Sequence, residues 1–266
     1  MLGKLLKYEL PAMGRKLLPL YVAWLAASIL LGFGVRGFES ESDLLPVLTI
    51  LLYVAVTVAV FVMSIILIIQ RYRTSMLGDE AYFNMVLPVS MNEHIANKGL
   101  SALIWMSISA VASFISIFLI LLCSGALFDV LPDFLAGIRE MIAELGPEWV
   151  LVIVEIFLLG ILSSAKSILA IYAAITIGHQ AKDHTTLASI GAYIGLSMAE
   201  TAVGNILVQI GMIVNLGFDD FITYMMAHNF LSAQLIFLIL FIVAAALVTA
   251  YFFICKYFME RKLNLN

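Results

Sequence analysis

Charge is scarce in this chain. Asp, Glu, Lys and Arg together make up 12% of its 266 residues, about half the share of an ordinary soluble domain. With 63% hydrophobic residues and a mean hydropathy of +1.08, there is too little polar surface to clothe a globule in water, and lipid is the natural solvent. Cysteine is nearly missing as well. Cys123 and Cys255 fall near opposite ends of apolar spans, so no disulfide is expected, because a bridge needs Cα atoms within about 7 Å. Neither has metal-ligand spacing. The histidines at 94, 179, 184 and 228 are scattered, and no acidic or cysteine cluster joins them, so no metal site is assigned. There is no G-x-x-x-x-G-K-[ST] phosphate loop, which excludes ATP binding by that device. No nucleophile elbow, H-E-x-x-H motif or pair of catalytic carboxylates appears, and intramembrane catalysis is unsupported. No linker or repeat divides the chain, which reads as a single domain over 1–266.

What the chain has in abundance is long apolar runs. A helix crosses the hydrocarbon core with about 20 apolar residues. Six stretches qualify: 17–35, 44–70, 99–128, 149–178, 186–218 and 229–255. The expected fold is therefore all-α, a polytopic integral membrane protein with six transmembrane helices. The first run is too long for a signal-peptide core and lacks a clear small-residue cleavage site, so it reads as an uncleaved helix.

The basic residues set an orientation. The termini and the even-numbered loops hold Lys4, Lys7, Arg15, Lys16, Arg71, Arg73, Lys98, Lys182, Lys256, Arg261 and Lys262, whereas the opposite side holds only Arg36 and Arg139. Both ends are expected in the cytoplasm. Residues 1–16 place Leu2, Leu5, Leu6, Leu10 and Met13 at helical spacing among lysines, the pattern of an interfacial amphipathic helix, with Pro11 kinking it or starting a second short one; the alternative is a plain positively charged flank. On the outer side, Pro132-Asp133 opens a second amphipathic helix, which ends at Gly146-Pro147. Residues 218–226 form a shorter apolar group that lies on the membrane or dips into it.

The loop between the second and third spans is too apolar to stand idle in water. Its Tyr82, Phe83, Met85, Val86 and Leu87 need a covering surface, and a short helix with aromatic residues on one face fits a partner's groove or packs on the loop's own helix ends. Pro88 stops that helix. Ser90 and Glu93 then stand in capping-box spacing, so a new helix starts at Met91 and runs into the third span.

Inside the membrane, charged residues are functional candidates by default. Lys166 and Glu200 each lie 17 residues from Asp183, on either side of the short 179–185 loop. If Asp183 marks the hairpin centre, the two charges share one depth and form an ion pair, which either fixes helix register or lines a substrate path. Glu155 lies nearer the outer end of the fourth span, at a wet vestibule or helix end or as a ligand group. Gly191 and Gly195 have G-x-x-x-G spacing, which favours tight packing within or between subunits. Asn205 and Gln209, one turn apart, hydrogen-bond across helices or face a substrate.

Four stretches make the chain resemble the ABC-2-type permeases, the membrane subunits of one class of ATP-binding-cassette exporter. They are the start Leu2-Gly3-Lys4-Leu5-Leu6-Lys7-Tyr8-Glu9, the Gly78-Asp79-Glu80-Ala81-Tyr82 stretch, the Leu87-Pro88-Val89-Ser90 turn running to Lys98, and the tail from Lys256 to Asn266. The resemblance spans most of the chain through the six-helix plan. It implies an N-terminal elbow helix, an ATPase-coupling helix within residues 78–93 and an outer re-entrant segment at 217–230. It also implies a separate ATP-binding subunit carrying ATP and Mg, and a second permease copy or paralogue. The expected protein sits in the plasma membrane, holds no cofactor on this chain, binds no nucleic acid and moves an amphipathic or hydrophobic substrate such as a peptide, antibiotic or lipid. An ion-coupled secondary transporter using Lys166 and Glu200, or a non-transporting scaffold, are the alternatives.

Overall fold

The computed structural model describes residues 2–36, 44–78, 80–86, 88–145, 149–181, 184–213 and 230–261. Among these there are eight helices and no strands: α1 (Leu2–Arg36), α2 (Leu44–Met76), α3 (Glu80–Val86), α4 (Met91–Ser124), α5 (Leu127–Leu145), α6 (Trp149–Gly178), α7 (Thr185–Ile213) and α8 (Phe230–Arg261). All but α3 and α5 are long and apolar enough to cross a membrane. The chain divides into two compact units, one of residues 1–72 and 100–144, the other of 73–99 and 145–266.

In the first unit, α1 is a single helix that runs through Pro11 and Pro19. Residues 2–16 and the first apolar run are thus one element, about 52 Å long at 1.5 Å per residue. Its buried side chains explain the continuity. Glu9, Met13, Leu17, Tyr21, Trp24, Ser28 and Leu31 recur every three or four residues, a stripe that passes from the basic segment into the span without a break. Close approaches are made where a side chain is lacking. A Cβ on Gly32 would lie 2.5 Å from that of Cys123, and one on Gly34 would lie 2.5 Å from Thr49 Oγ1.

Hydroxyl groups join α1, α2 and α4 across the same stripe. Tyr21 and Ser109 share a hydrogen bond of 2.6 Å, and Trp24 Nε1 donates to Thr57 Oγ1 at 2.9 Å. Ser116 bonds both Ser28 (2.7 Å) and Tyr53 (2.9 Å). Near the N-terminus, Glu9 accepts from Arg71 Nε at 2.7 Å and from Nη2 at 3.1 Å, a bidentate arrangement suited to a buried carboxylate. Each bond satisfies a polar group that hydrocarbon would leave stranded.

The third span ends earlier than its composition suggests. Apolar residues continue to Phe128, but α4 stops at Ser124, and Gly125 takes a positive φ of 83°. Glycine tolerates this conformation without a Cβ penalty. Ser124 Oγ accepts from Ala126 N, and Ala126 O accepts from Val130 N. A new helix is therefore under way by Leu127, and Pro132 lies inside it rather than at its start. The second span extends the other way, to Met76, which puts Arg71 and Arg73 on its last turns.

In the second unit, α6 packs along both α7 and α8. Its buried residues include Ile168, Leu169, Tyr172, Ala173 and Thr176. The α6–α7 hairpin is very tight. A Cβ on Gly178 would fall 2.1 Å from Ser189 Oγ and 2.4 Å from its backbone nitrogen, so only glycine fits. Arg73 donates to Thr185 and Thr186 at the start of α7 (2.9 and 3.3 Å). Asp183, and with it the centre of the hairpin, lies outside the described residues. So do residues 214–229, which include the end of the expected fifth span and nearly all of the re-entrant segment.

Candidate functional site

Two places combine chemistry with exposure. The first is the connection between α2 and α4. The last turn of α2 is closed by a bond from Leu77 N to Arg73 O at 3.0 Å, and the Gly78 carbonyl accepts from Ala81 N at 2.9 Å. Gly78 is held close to the preceding turn, since a Cβ there would meet Thr74 O at 3.0 Å. Helix α3 begins at Glu80, whose carboxylate suits a helix N-terminus. Ala81 is fully buried, while Tyr82 and Val86 are 56% and 84% exposed. The element thus presses a small residue inward and turns an aromatic and a branched side chain outward. Asp79, Leu87 and the side chain of Phe83 lie outside the described residues.

After the exposed Pro88, the capping box is formed in both directions. Glu93 N donates to Ser90 Oγ at 3.4 Å and Ser90 N donates to Glu93 Oε2 at 3.2 Å. The Ser90 carbonyl also accepts from the amides of Glu93 and His94. This reciprocal cap sets the starting residue of α4, and α4 then continues unbroken for 34 residues.

The second place lies among α6, α7 and α8. Lys166 Nζ donates to Glu200 Oε1, and Tyr251 OH donates to the other oxygen, Oε2, at 3.1 Å. One carboxylate therefore collects donors from two neighbouring helices. The Lys166 and Glu200 side chains stay 20% and 30% exposed. Lipid solvates neither ion, so this exposed portion requires water or protein beside it. Eleven residues earlier on α6, roughly 16 Å along the helix, Glu155 accepts from Gln234 Nε2 of α8 at 3.1 Å. Glu155 is thereby tied to α8 and does not join the Lys166–Glu200 pair.

Sequence reasoning overlooked Tyr251 and Gln234. Their only signal was polarity within an apolar span, since both sit beyond a long connection that hides their depth. Helix α7 also bears an open groove of about 480 Å³ beside Tyr193, Ser197, Thr201 and Asn205, with Ile194 and Met198 along it. Among the described residues, Gly191 and Gly195 make no close packing, because a Cβ on either would meet none of their atoms within 4 Å. Among the described residues, no group of three or more His, Cys, Asp or Glu could hold a metal ion.

These features define the class: a protein whose described residues are helical, with six apolar helices among them that suit a multi-pass place in a membrane. Beyond the class, no family model, no curated protein and no solved structure matches the chain.

Proposed function

We propose that this chain is the permease subunit of an ATP-driven exporter of the ABC-2 type. Both termini would lie in the cytoplasm of a plasma-membrane protein, with residues 2–16 serving as the elbow. The observation that carries the reading is α3, a one-to-two-turn helix between two spans with Tyr82 and Val86 turned outward. An exposed aromatic beside a branched residue fits a soluble partner's groove. The capped start of α4 would convert movement of that partner into movement of a membrane helix. The partner would supply the phosphate loop, ATP and Mg, and a second permease, identical or paralogous, would complete the path. The substrate would be amphipathic or hydrophobic.

The test places a photo-crosslinking residue at position 82 in native membranes. The expected product is a cross-link to an ATPase that contains a phosphate loop. A Tyr82→Asp variant should stay in the membrane yet lose that ATPase on purification. An anchoring aromatic is worth about 2 kcal/mol at an interface, roughly thirtyfold in affinity. Undiminished recovery of the ATPase with Tyr82→Asp, together with undiminished transport, would overturn the reading.

The Lys166–Glu200–Tyr251 cluster supports a second reading, ion-coupled transport without an ATPase. Substrate movement by the purified chain alone, driven by an ion gradient and lost in Glu200→Gln, would favour it over the first.

A further inference from the structure

Helix α5 is the one long helix among the described residues that does not qualify as a span. It carries Asp129, Asp133, Arg139, Glu140 and Glu144 within 19 residues, too many charges for hydrocarbon. Its other side is strongly apolar. Phe128, Leu131, Phe134, Leu135 and Ile142 are all exposed, Phe128 at 76% and Phe134 at 61%. At about 100° per residue, these five fall within an arc of about 120°. Asp129, Asp133 and Glu140, also exposed, fall within about 40°, centred on the opposite side.

The position of α5 identifies what covers that apolar face. Only Gly125 and Ala126 separate it from α4, which is itself long and apolar enough to cross the membrane. The turn at Gly125 ends the span and releases the chain at the bilayer surface. A helix starting there cannot move far from lipid. Its carboxylates keep it from entering the core, and its five apolar side chains keep it from leaving the interface.

We propose that α5 lies flat in the headgroup region at the membrane face where α4 ends, with its Phe128–Ile142 face among the acyl chains and its acidic edge in water. The occupant of the face is therefore lipid, not protein. Arg139 stands at the border, close in phase to Phe128, where its long side chain reaches lipid phosphate while its stem stays apolar. The acidic edge also selects the headgroup. Zwitterionic lipids offer ammonium groups to Asp129, Asp133 and Glu140, whereas an anionic surface repels them.

The test uses the full chain in phosphatidylcholine nanodiscs, on a Cys123→Ala/Cys255→Ala background. Single cysteines carrying a fluorophore replace Phe128, Leu131 or Leu135 on one face, and Asp129, Asp133 or Glu140 on the other. Quenching by doxyl-labelled lipid should be at least threefold stronger on the first set, and quenching by aqueous iodide stronger on the second. In phosphatidylglycerol nanodiscs the doxyl quenching of the first set should fall. Equal iodide quenching on both faces would mean a helix standing off in water and would overturn the proposal. Protection of the apolar face from both quenchers would mean a protein cover, such as a second copy, and would overturn it too. Unchanged doxyl quenching in the anionic lipid would overturn the headgroup selection. The unsubstituted protein provides a check free of folding defects. In phosphatidylcholine nanodiscs, hydroxyl-radical labelling should spare Phe128 and Phe134, and oxidation at the rate of freely exposed phenylalanine would refute the insertion.

Discussion

Deleting one member of the Lys166–Glu200 pair should cost more than deleting both. In Lys166→Met, Glu200 keeps its bond from Tyr251 but loses its counter-ion. A lone charge near the middle of a membrane helix costs about 2.5–3.5 kcal/mol. Breaking a fully buried pair costs about 3–5 kcal/mol, but the side chains here are 20% and 30% exposed, so the lower range applies. About 3 kcal/mol is expected for Lys166→Met, and a similar loss for Glu200→Met, which strands the ammonium. The double variant leaves no charge behind, only the Tyr251 hydroxyl without its acceptor, at about 1 kcal/mol. The double variant should therefore be more stable than either single one. Steric-trapping measurements of unfolding in bicelles would provide the three values. If the two single losses simply add in the double variant, the pair does not act as a unit and the reasoning fails.

Packing and protonation yield two further expectations. Gly32→Ala puts a methyl 2.5 Å from the Cβ of Cys123 and 3.0 Å from Ile120 O, so overpacking should cost about 1–3 kcal/mol. Gly195→Ala places the same methyl where no atom of the described residues lies within 4 Å, so purified protein should show thermal midpoints lowered by the first change and not by the second. His179, at the cytoplasmic hairpin of the proposed topology, is held below its ordinary value of 6.5, first by burial and then by the nearby charge of Arg73. The unfolded chain then binds the proton more readily than the fold does. This contribution to stability is complete above pH 6.5 and is lost as pH falls through the lowered value. His179→Gln should flatten the stability–pH curve below pH 6.5, and an unchanged slope there would count against this role for the ring.

Much of the helix plan can be read from the chain because crossing hydrocarbon demands long apolar runs, which composition alone reveals. The start of α4 is legible for another reason: a capping box is local, and Ser90 and Glu93 are three residues apart. The end of α4 is not legible in the same way, since Ala126, Leu127 and Phe128 continue the apolar run and only the backbone of Gly125 turns. The depth of Lys166 and Glu200 can be counted from the short loop between them. No such count reaches Tyr251 or Gln234, because residues 214–229 intervene. The Arg71–Glu9 bond is similarly remote, its partners standing 62 positions apart in the chain. Glu9 could have been suspected from its phase alone, since it lies on the stripe continued by Met13, Leu17 and Tyr21.

The hydroxyl bridges among α1, α2 and α4 also restrict how that unit can move. Ser28, Tyr53 and Ser116 meet at one oxygen, while Tyr21–Ser109 and Trp24–Thr57 bond at other levels. A one-turn axial slip of about 5.4 Å would part all of these at once and expose each polar group to hydrocarbon. Sliding is thereby locked out, and the three helices tilt or rotate as one block. Spin-label distances between α1 and α4 should consequently stay constant through any working cycle.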